Sequence, residues 1–193
     1  MAVATNRRRL CEALALPAEP RWLMQVHGTA ARPAESAPPD CEADASFTAS
    51  PGVVCAVLTA DCLPVLLCER HGAAVAVAHA GWRGLAAGVI ERTVEALGFP
   101  GEHLLAWLGP AIGPNAFEVG EEVRSAFTAR QAAAQAAFRP SANGRWLADL
   151  YALAPLRLAA CGVPTGSGGG SRPYPAPARL SPYPPRGAPR RTA

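Results

Sequence analysis

Lysine is absent: all 18 basic side chains of this 193-residue chain are arginine. Together with abundant Ala, Pro and Gly, this points to GC-rich coding, which concerns composition and not function. Long apolar runs are missing too. None reaches the roughly 18–20 residues that span a bilayer, and the longest candidate, Val53 to Cys68, is broken by Thr59, Asp61 and Pro64. The Arg7–Arg9 run is followed by no long apolar stretch, which argues against a secretory signal peptide. Cys11, Cys41, Cys55, Cys62, Cys68 and Cys161 form no C-x-x-C pair and no dense framework. The expectation is reduced thiols and a cytoplasmic location. Acidic residues are missing from 171–193, which carry five arginines, whereas the rest of the chain holds 13 basic and 15 acidic side chains. The basic balance therefore comes from the tail, and the body offers no basic face for nucleic acid.

What is present fits one domain, since domains usually run about 100–200 residues and half of these residues are apolar. Asn6 is placed to cap a helix ending near Leu16, before Pro17 and Pro20. Trp22 to Val26 reads as a short strand, and residues 30–44 as an exposed loop. Three strands are expected at Gly52–Thr59, Pro64–Cys68 and Ala73–His79, the last buried on both faces. Leu85, Val89, Ile90, Val94 and Leu97 recur at helical spacing, with Gly98 and Pro100 as the stop. Leu104–Leu108 reads as a strand, and helices are expected over 119–137 and 147–160, with Pro155 kinking the second. Strands and helices mix without strict alternation, which predicts an α+β fold, a mixed α/β sandwich. The domain is expected over 1–165, with a Pro/Arg-rich tail from 166 to 193 too poor in apolar side chains to order itself.

Four histidines occur. His71 falls in a hairpin turn and His103 at a strand entrance, both reading as solvated surface. His27 and His79 instead end apolar runs and precede Gly or Ala-Gly, the kind of strand end where sites are built. Cys62 sits at a sharp break, Thr59-Ala60-Asp61-Cys62-Leu63-Pro64. Two imidazoles and a thiolate would suit Zn²⁺ with an open fourth position. Such spacing is not diagnostic, and a buried structural Cys62 stays open on residue types alone. Arg83, at a strand-to-helix junction, is a candidate anion contact or simply a surface side chain.

Four stretches narrow the choice. Gln25-Val26-His27-Gly28, Thr59-Ala60-Asp61-Cys62-Leu63-Pro64-Val65, Ala78-His79-Ala80-Gly81-Trp82-Arg83-Gly84 and Gly109-Pro110-Ala111-Ile112-Gly113-Pro114 resemble, in order, the motifs of the laccase-domain, or polyphenol oxidase-like, family. That family is also described as purine nucleoside phosphorylase and peptidoglycan editing factor. The resemblance covers about residues 6–165. It implies a mixed α/β sandwich, zinc held by His27, Cys62 and His79, and activity on purine nucleosides. The implied reactions are adenosine deamination and phosphorolysis of adenosine, inosine, guanosine and methylthioadenosine, with phosphate as co-substrate. Asp61 is the candidate proton shuttle and Arg83 the candidate phosphate holder.

The departures from the family pattern lie at the ends. Members carry a further N-terminal stretch with an Arg-bearing segment, and after the glycine-rich Gly168–Gly170 the present text matches nothing in their C-terminal pattern. A truncated start and a coding frameshift near Gly166–Gly170 are the expectation. A copper polyphenol oxidase is rejected on ligand count, because the four histidines contain no H-x-H pair. The usual deaminase signature, H-x-E with P-C-x-x-C, is missing too. Two further readings remain: a cysteine hydrolase acting on peptidoglycan precursors, with Cys62 as nucleophile and His79 or His27 as base, and an inactive truncated paralogue.

Overall fold

A computed structural model of the chain describes residues 2–164. The expected tail at 166–193 lies outside them. The elements run in the order α1 (Ala2–Ala13), β1 (Ala31–Pro33), β2 (Ala45–Thr48), β3 (Leu63–Glu69), β4 (Val75–Ala80), α2 (Trp82–Ala87), α3 (Val89–Leu97), β5 (Leu104–Leu108), β6 (Glu118–Val119), α4 (Glu121–Thr128), β7 (Phe138–Pro140), β8 (Trp146–Ala148) and α5 (Leu150–Ala160). A five-stranded sheet has the order β1-β2-β4-β3-β5, with only the β1–β2 pair parallel, and a three-stranded antiparallel sheet has the order β6-β8-β7. This is the mixed α+β architecture expected.

The two faces of the larger sheet differ. Strand side chains alternate between faces. Leu63, Val65 and Leu67 of β3, Ala76, Ala78 and Ala80 of β4 and Leu104, Ala106 and Leu108 of β5 are buried with α2, α3 and α5. Small alanines along β4 let Leu85, Val89 and Ile90, all 0 % exposed, pack close to it. Burying each such side chain contributes about 1.5–3 kcal/mol. The opposite face carries Leu66, Val75 and Trp107, each more than 40 % exposed. His79 belongs to that second face, because it pairs with Pro64, two residues from the Leu66–Val77 pair.

Several expectations need correction. Asn6 lies inside α1, which begins at Ala2 and buries none of its residues. Trp22–Val26 is no strand, for only an isolated parallel bridge joins Met24 to Glu42. Residues 30–44 contain β1 and end at fully buried Asp44. Residues 53–59 have no ladder partner, and the strand lies earlier, at β2. The helix after Gly84 is two helices, since Gly88 adopts φ +108°, a left-handed conformation that ends α2. At that break Ala86 O accepts from Arg130 Nη1 (2.7 Å) and Arg157 Nη2 (2.9 Å), while Arg157 also meets Glu91 (3.1 Å). The span 119–137 comprises α4 and a 3₁₀ turn, Ala132–Ala137. The span 147–160 begins as β8, and Asp149 then caps α5 by accepting from Tyr151 N and Ala152 N. Pro155 lies inside α5, as expected, and the helix runs on to Ala160.

Candidate metal centre

The structure brings His27, Cys62 and His79 together from three segments. Their ligand atoms all lie within 4.8 Å of one another, and among the described residues this is the one group of three or more metal-ligating side chains so placed. Cys62 Sγ stands 3.7 Å from His27 Nε2. The two imidazoles meet edge-on, with ring centroids 4.8 Å apart and planes at 66°. His79 is buried, Cys62 half-buried and His27 exposed, so the group opens toward solvent on one side.

Each motif has a local reason. Gln25 clamps the loop before Cys62, donating to Leu58 O (2.8 Å) and accepting from Leu58 N (2.7 Å). His27 is held at φ +60°, a left-handed conformation that non-glycine residues avoid. Gly81 brings the chain so close that a Cβ there would stand 2.8 Å from both Cys62 Sγ and His27 Cδ2. At Gly84 a Cβ would stand 2.8 Å from Gly28 O. The two glycines of the His-Ala-Gly-Trp-Arg-Gly stretch therefore make room for the donor group and for the turn that bears His27. The Gly109–Pro114 loop is tied down over its first four residues: Tyr151 Oη accepts from Ala111 N (2.6 Å) and donates to Gly109 O (3.0 Å), and Ile112 N donates to Asp61 O (2.9 Å).

The residue missed by sequence reasoning is Asp44. It stands opposite His79 where the β2–β4 ladder continues, and His79 N donates to its carbonyl (2.7 Å). Directly opposed residues share a face, so the side chains meet too, with His79 Nδ1 2.8 Å from Asp44 Oδ1. The carboxylate also accepts from the main-chain N–H of Val26 (3.1 Å), His27 (3.0 Å) and Gly28 (2.7 Å). Its place at the end of a stretch rich in Pro, Ala and acid concealed it.

The electrostatics favour the neutral forms of His27 and Cys62. Burial, the neighbouring His79 and the charge of Arg83 push the His27 pKa down, against an opposing pull from Asp44. A neutral imidazole is the ligand form. Burial, Asp61 and Asp44 push the Cys62 thiol up to about 11. A thiolate there needs a nearby positive charge, whereas an activated catalytic thiol sits in surroundings that lower its pKa. Asp61 is thus adjacent in charge as well as in sequence. Arg83 is exposed and stacks its guanidinium 4.6 Å from the Trp82 ring centroid. Because α2 is only six residues long, the helix end adds little to an anion contact, and any such role falls to the guanidinium itself. His71 and His103 lie exposed at the β3–β4 turn and at the entrance to β5, away from this group.

A mixed α/β fold carrying an open two-histidine, one-cysteine donor group at the end of its main sheet defines the class structurally. The model of the family described as multi-copper polyphenol oxidoreductase laccase matches residues 1–172. Over 170 residues the chain is 59 % identical to purine nucleoside phosphorylase PA4543 of Pseudomonas aeruginosa, covering 88 % of this chain and 69 % of that protein. It is 55 % identical to purine nucleoside phosphorylase YfiH of Escherichia coli over 168 residues, 86 % of this chain and 69 % of the other. The crystal structure of Neisseria meningitidis protein NMB0706 superposes with a TM-score of 0.83 at 46 % identity, covering 89 % of this chain and 70 % of that one. The chain belongs to the multi-copper polyphenol oxidoreductase laccase family. The His-x-His pairs of a multicopper cluster do not occur in the sequence.

Proposed function

We propose that the chain is a zinc-dependent purine nucleoside enzyme, with His27, Cys62 and His79 as the metal ligands. The observation that carries this reading is the convergence of the three donors beside Asp44, which engages His79 through Nδ1 and leaves Nε2 available. Three protein ligands with a fourth position open are the pattern of catalytic zinc, and His nitrogen and Cys sulfur are both zinc ligands. Ligand atoms on a tetrahedral zinc stand about 3.3–3.7 Å apart, so the group needs only a modest inward adjustment. Zinc, when bound, supplies Lewis acidity that makes a water molecule nucleophilic near neutral pH.

The names of the Pseudomonas and Escherichia relatives support nucleosides and phosphate as substrates. In phosphorolysis a phosphate oxygen attacks C1′ of the ribose while the bond from C1′ to the base breaks, giving ribose 1-phosphate and the free base. Arg83 holds the phosphate oxygens, and Asp61 moves the proton that the departing base requires. Adenosine, inosine and guanosine fall within this chemistry, and methylthioadenosine would give methylthioribose 1-phosphate and adenine by the same step. In adenosine deamination water adds at C6 and ammonia leaves, with Asp61 again carrying the proton. We place the enzyme in the cytoplasm on its cysteine spacing, which forms no C-x-x-C pair and no dense framework. Among the described residues no helix is long and apolar enough to cross a membrane.

The test is to incubate the purified chain with adenosine and phosphate. Adenine with ribose 1-phosphate marks phosphorolysis and inosine marks deamination, both lost in Cys62→Ala. One zinc per chain without turnover would favour the inactive-paralogue reading. The contact of 3.7 Å between Cys62 Sγ and His27 Nε2 keeps a cysteine hydrolase as a second reading. Activity that survives chelation and dies on thiol alkylation would select it, although the raised Cys62 pKa works against it.

A further inference from the structure

We propose that Asp44 is the positioning residue of the donor group, a single buried carboxylate that presets both imidazoles before any metal arrives. The proposal rests on the metal reading of His27, Cys62 and His79. Asp44 is 0 % exposed and accepts four hydrogen bonds. Oδ1 receives His27 N (3.0 Å) and His79 Nδ1 (2.8 Å), and Oδ2 receives Val26 N (3.1 Å) and Gly28 N (2.7 Å). A carboxylate has about four lone-pair sites, so this one is saturated and held in a single orientation. Its own position is set by the sheet, because Asp44 and His79 are paired through the main chain.

The consequence for each histidine is specific. A carboxylate only accepts, so the hydrogen of His79 resides on Nδ1 and the lone pair on Nε2. That is the tautomer in which a metal ligand donates its other ring nitrogen to an outer partner. For His27, three successive N–H groups converging on one carboxylate hold the left-handed turn at φ +60° and bring its ring against His79. Asn is no substitute at position 44. It offers one acceptor atom, and its amide NH₂ would face N–H donors. Both ligands therefore depend on one side chain. Losing it releases one ring and unlocks the tautomer of the other.

The first test uses the metal-free native chain with ¹⁵N-labelled imidazoles and long-range ¹H–¹⁵N NMR. The expected result is His79 as the Nδ1–H tautomer, with a downfield, exchange-protected Nδ1 proton. An Nε2–H tautomer, or an averaged mixture, overturns the proposal. The second test titrates Co²⁺ into the native chain and into Asp44→Asn, following the visible d–d and thiolate charge-transfer bands. Asp44→Asn is expected to bind 10- to 100-fold more weakly with altered bands. Affinity within twofold and an unchanged spectrum overturn the proposal. If Asp44→Asn does not fold, the tautomer measurement decides alone. A native chain that takes up neither cobalt nor zinc refutes the metal reading instead, and the tautomer still reports whether Asp44 holds His79.

Discussion

Gly81→Ala separates the donor group from the fold that carries it. The new methyl would lie 2.8 Å from Cys62 Sγ and from His27 Cδ2, whereas ordinary contacts between carbon atoms are about 3.5–4.0 Å. Each neighbour must therefore retreat by roughly 0.7–1.2 Å. The backbone is no obstacle: φ −63° and ψ 158° suit alanine, and the stiffer unfolded chain favours the variant by about 0.4–1 kcal/mol. Overpacking opposes this by about 1–3 kcal/mol, toward the lower end because His27 is exposed and can swing outward. Metal-free stability should then change by less than about 2 kcal/mol. Metal affinity should fall much further. Donor positions tolerate errors of only about 0.2 Å, so the displacement should cost at least about tenfold in zinc affinity, or roughly 1.4 kcal/mol. Competition against a chromophoric chelator gives the affinity, and urea denaturation in the presence of chelator gives the stability. A variant that unfolds readily but binds zinc as tightly as the native chain would refute this account of Gly81.

Other expectations follow from the same geometry. Arg157→Met removes a guanidinium that is buried against Ala86 O and Glu91; urea denaturation should show a loss of about 2–4 kcal/mol, since it leaves a carbonyl at the helix break short of one donor. Tyr151→Phe deletes both hydrogen bonds to the Gly109–Ala111 loop, and a loss of about 1–3 kcal/mol is expected by the same measurement. Burial raises the thiols of Cys55 and Cys161, helped by Glu35 and Glu91 respectively. At pH 8 both should therefore be alkylated more slowly than free cysteine, as read by mass spectrometry. The favoured neutral form stabilises the fold below the ordinary thiol pKa, and that contribution is lost as pH rises through the raised values. Alkaline titration of stability in Cys55→Ser and Cys161→Ser should therefore be shallower than in the native chain.

The periodic segments declare themselves in the amino-acid order. Pro64–Cys68, Leu104–Leu108 and the stripe from Leu85 to Leu97 are dominated by side chains whose burial any compact fold would demand. The four motif stretches single out His27, Cys62 and His79 only through their resemblance to a known family, since residue types and spacing alone do not decide between a metal ligand and a structural Cys62. Tertiary structure decides the rest. Residues 53–59 look like a strand, yet they join no ladder, and the strand beside β4 is β2. Gly88 splits one apparent helix because its left-handed φ is invisible in a hydrophobic pattern. Asp44 lies 35 positions from His79 in the chain, and only antiparallel pairing of β2 with β4 sets them face to face. Local propensity acts over a few residues, whereas the donor group and its carboxylate are assembled by strand register, a property of the whole sheet.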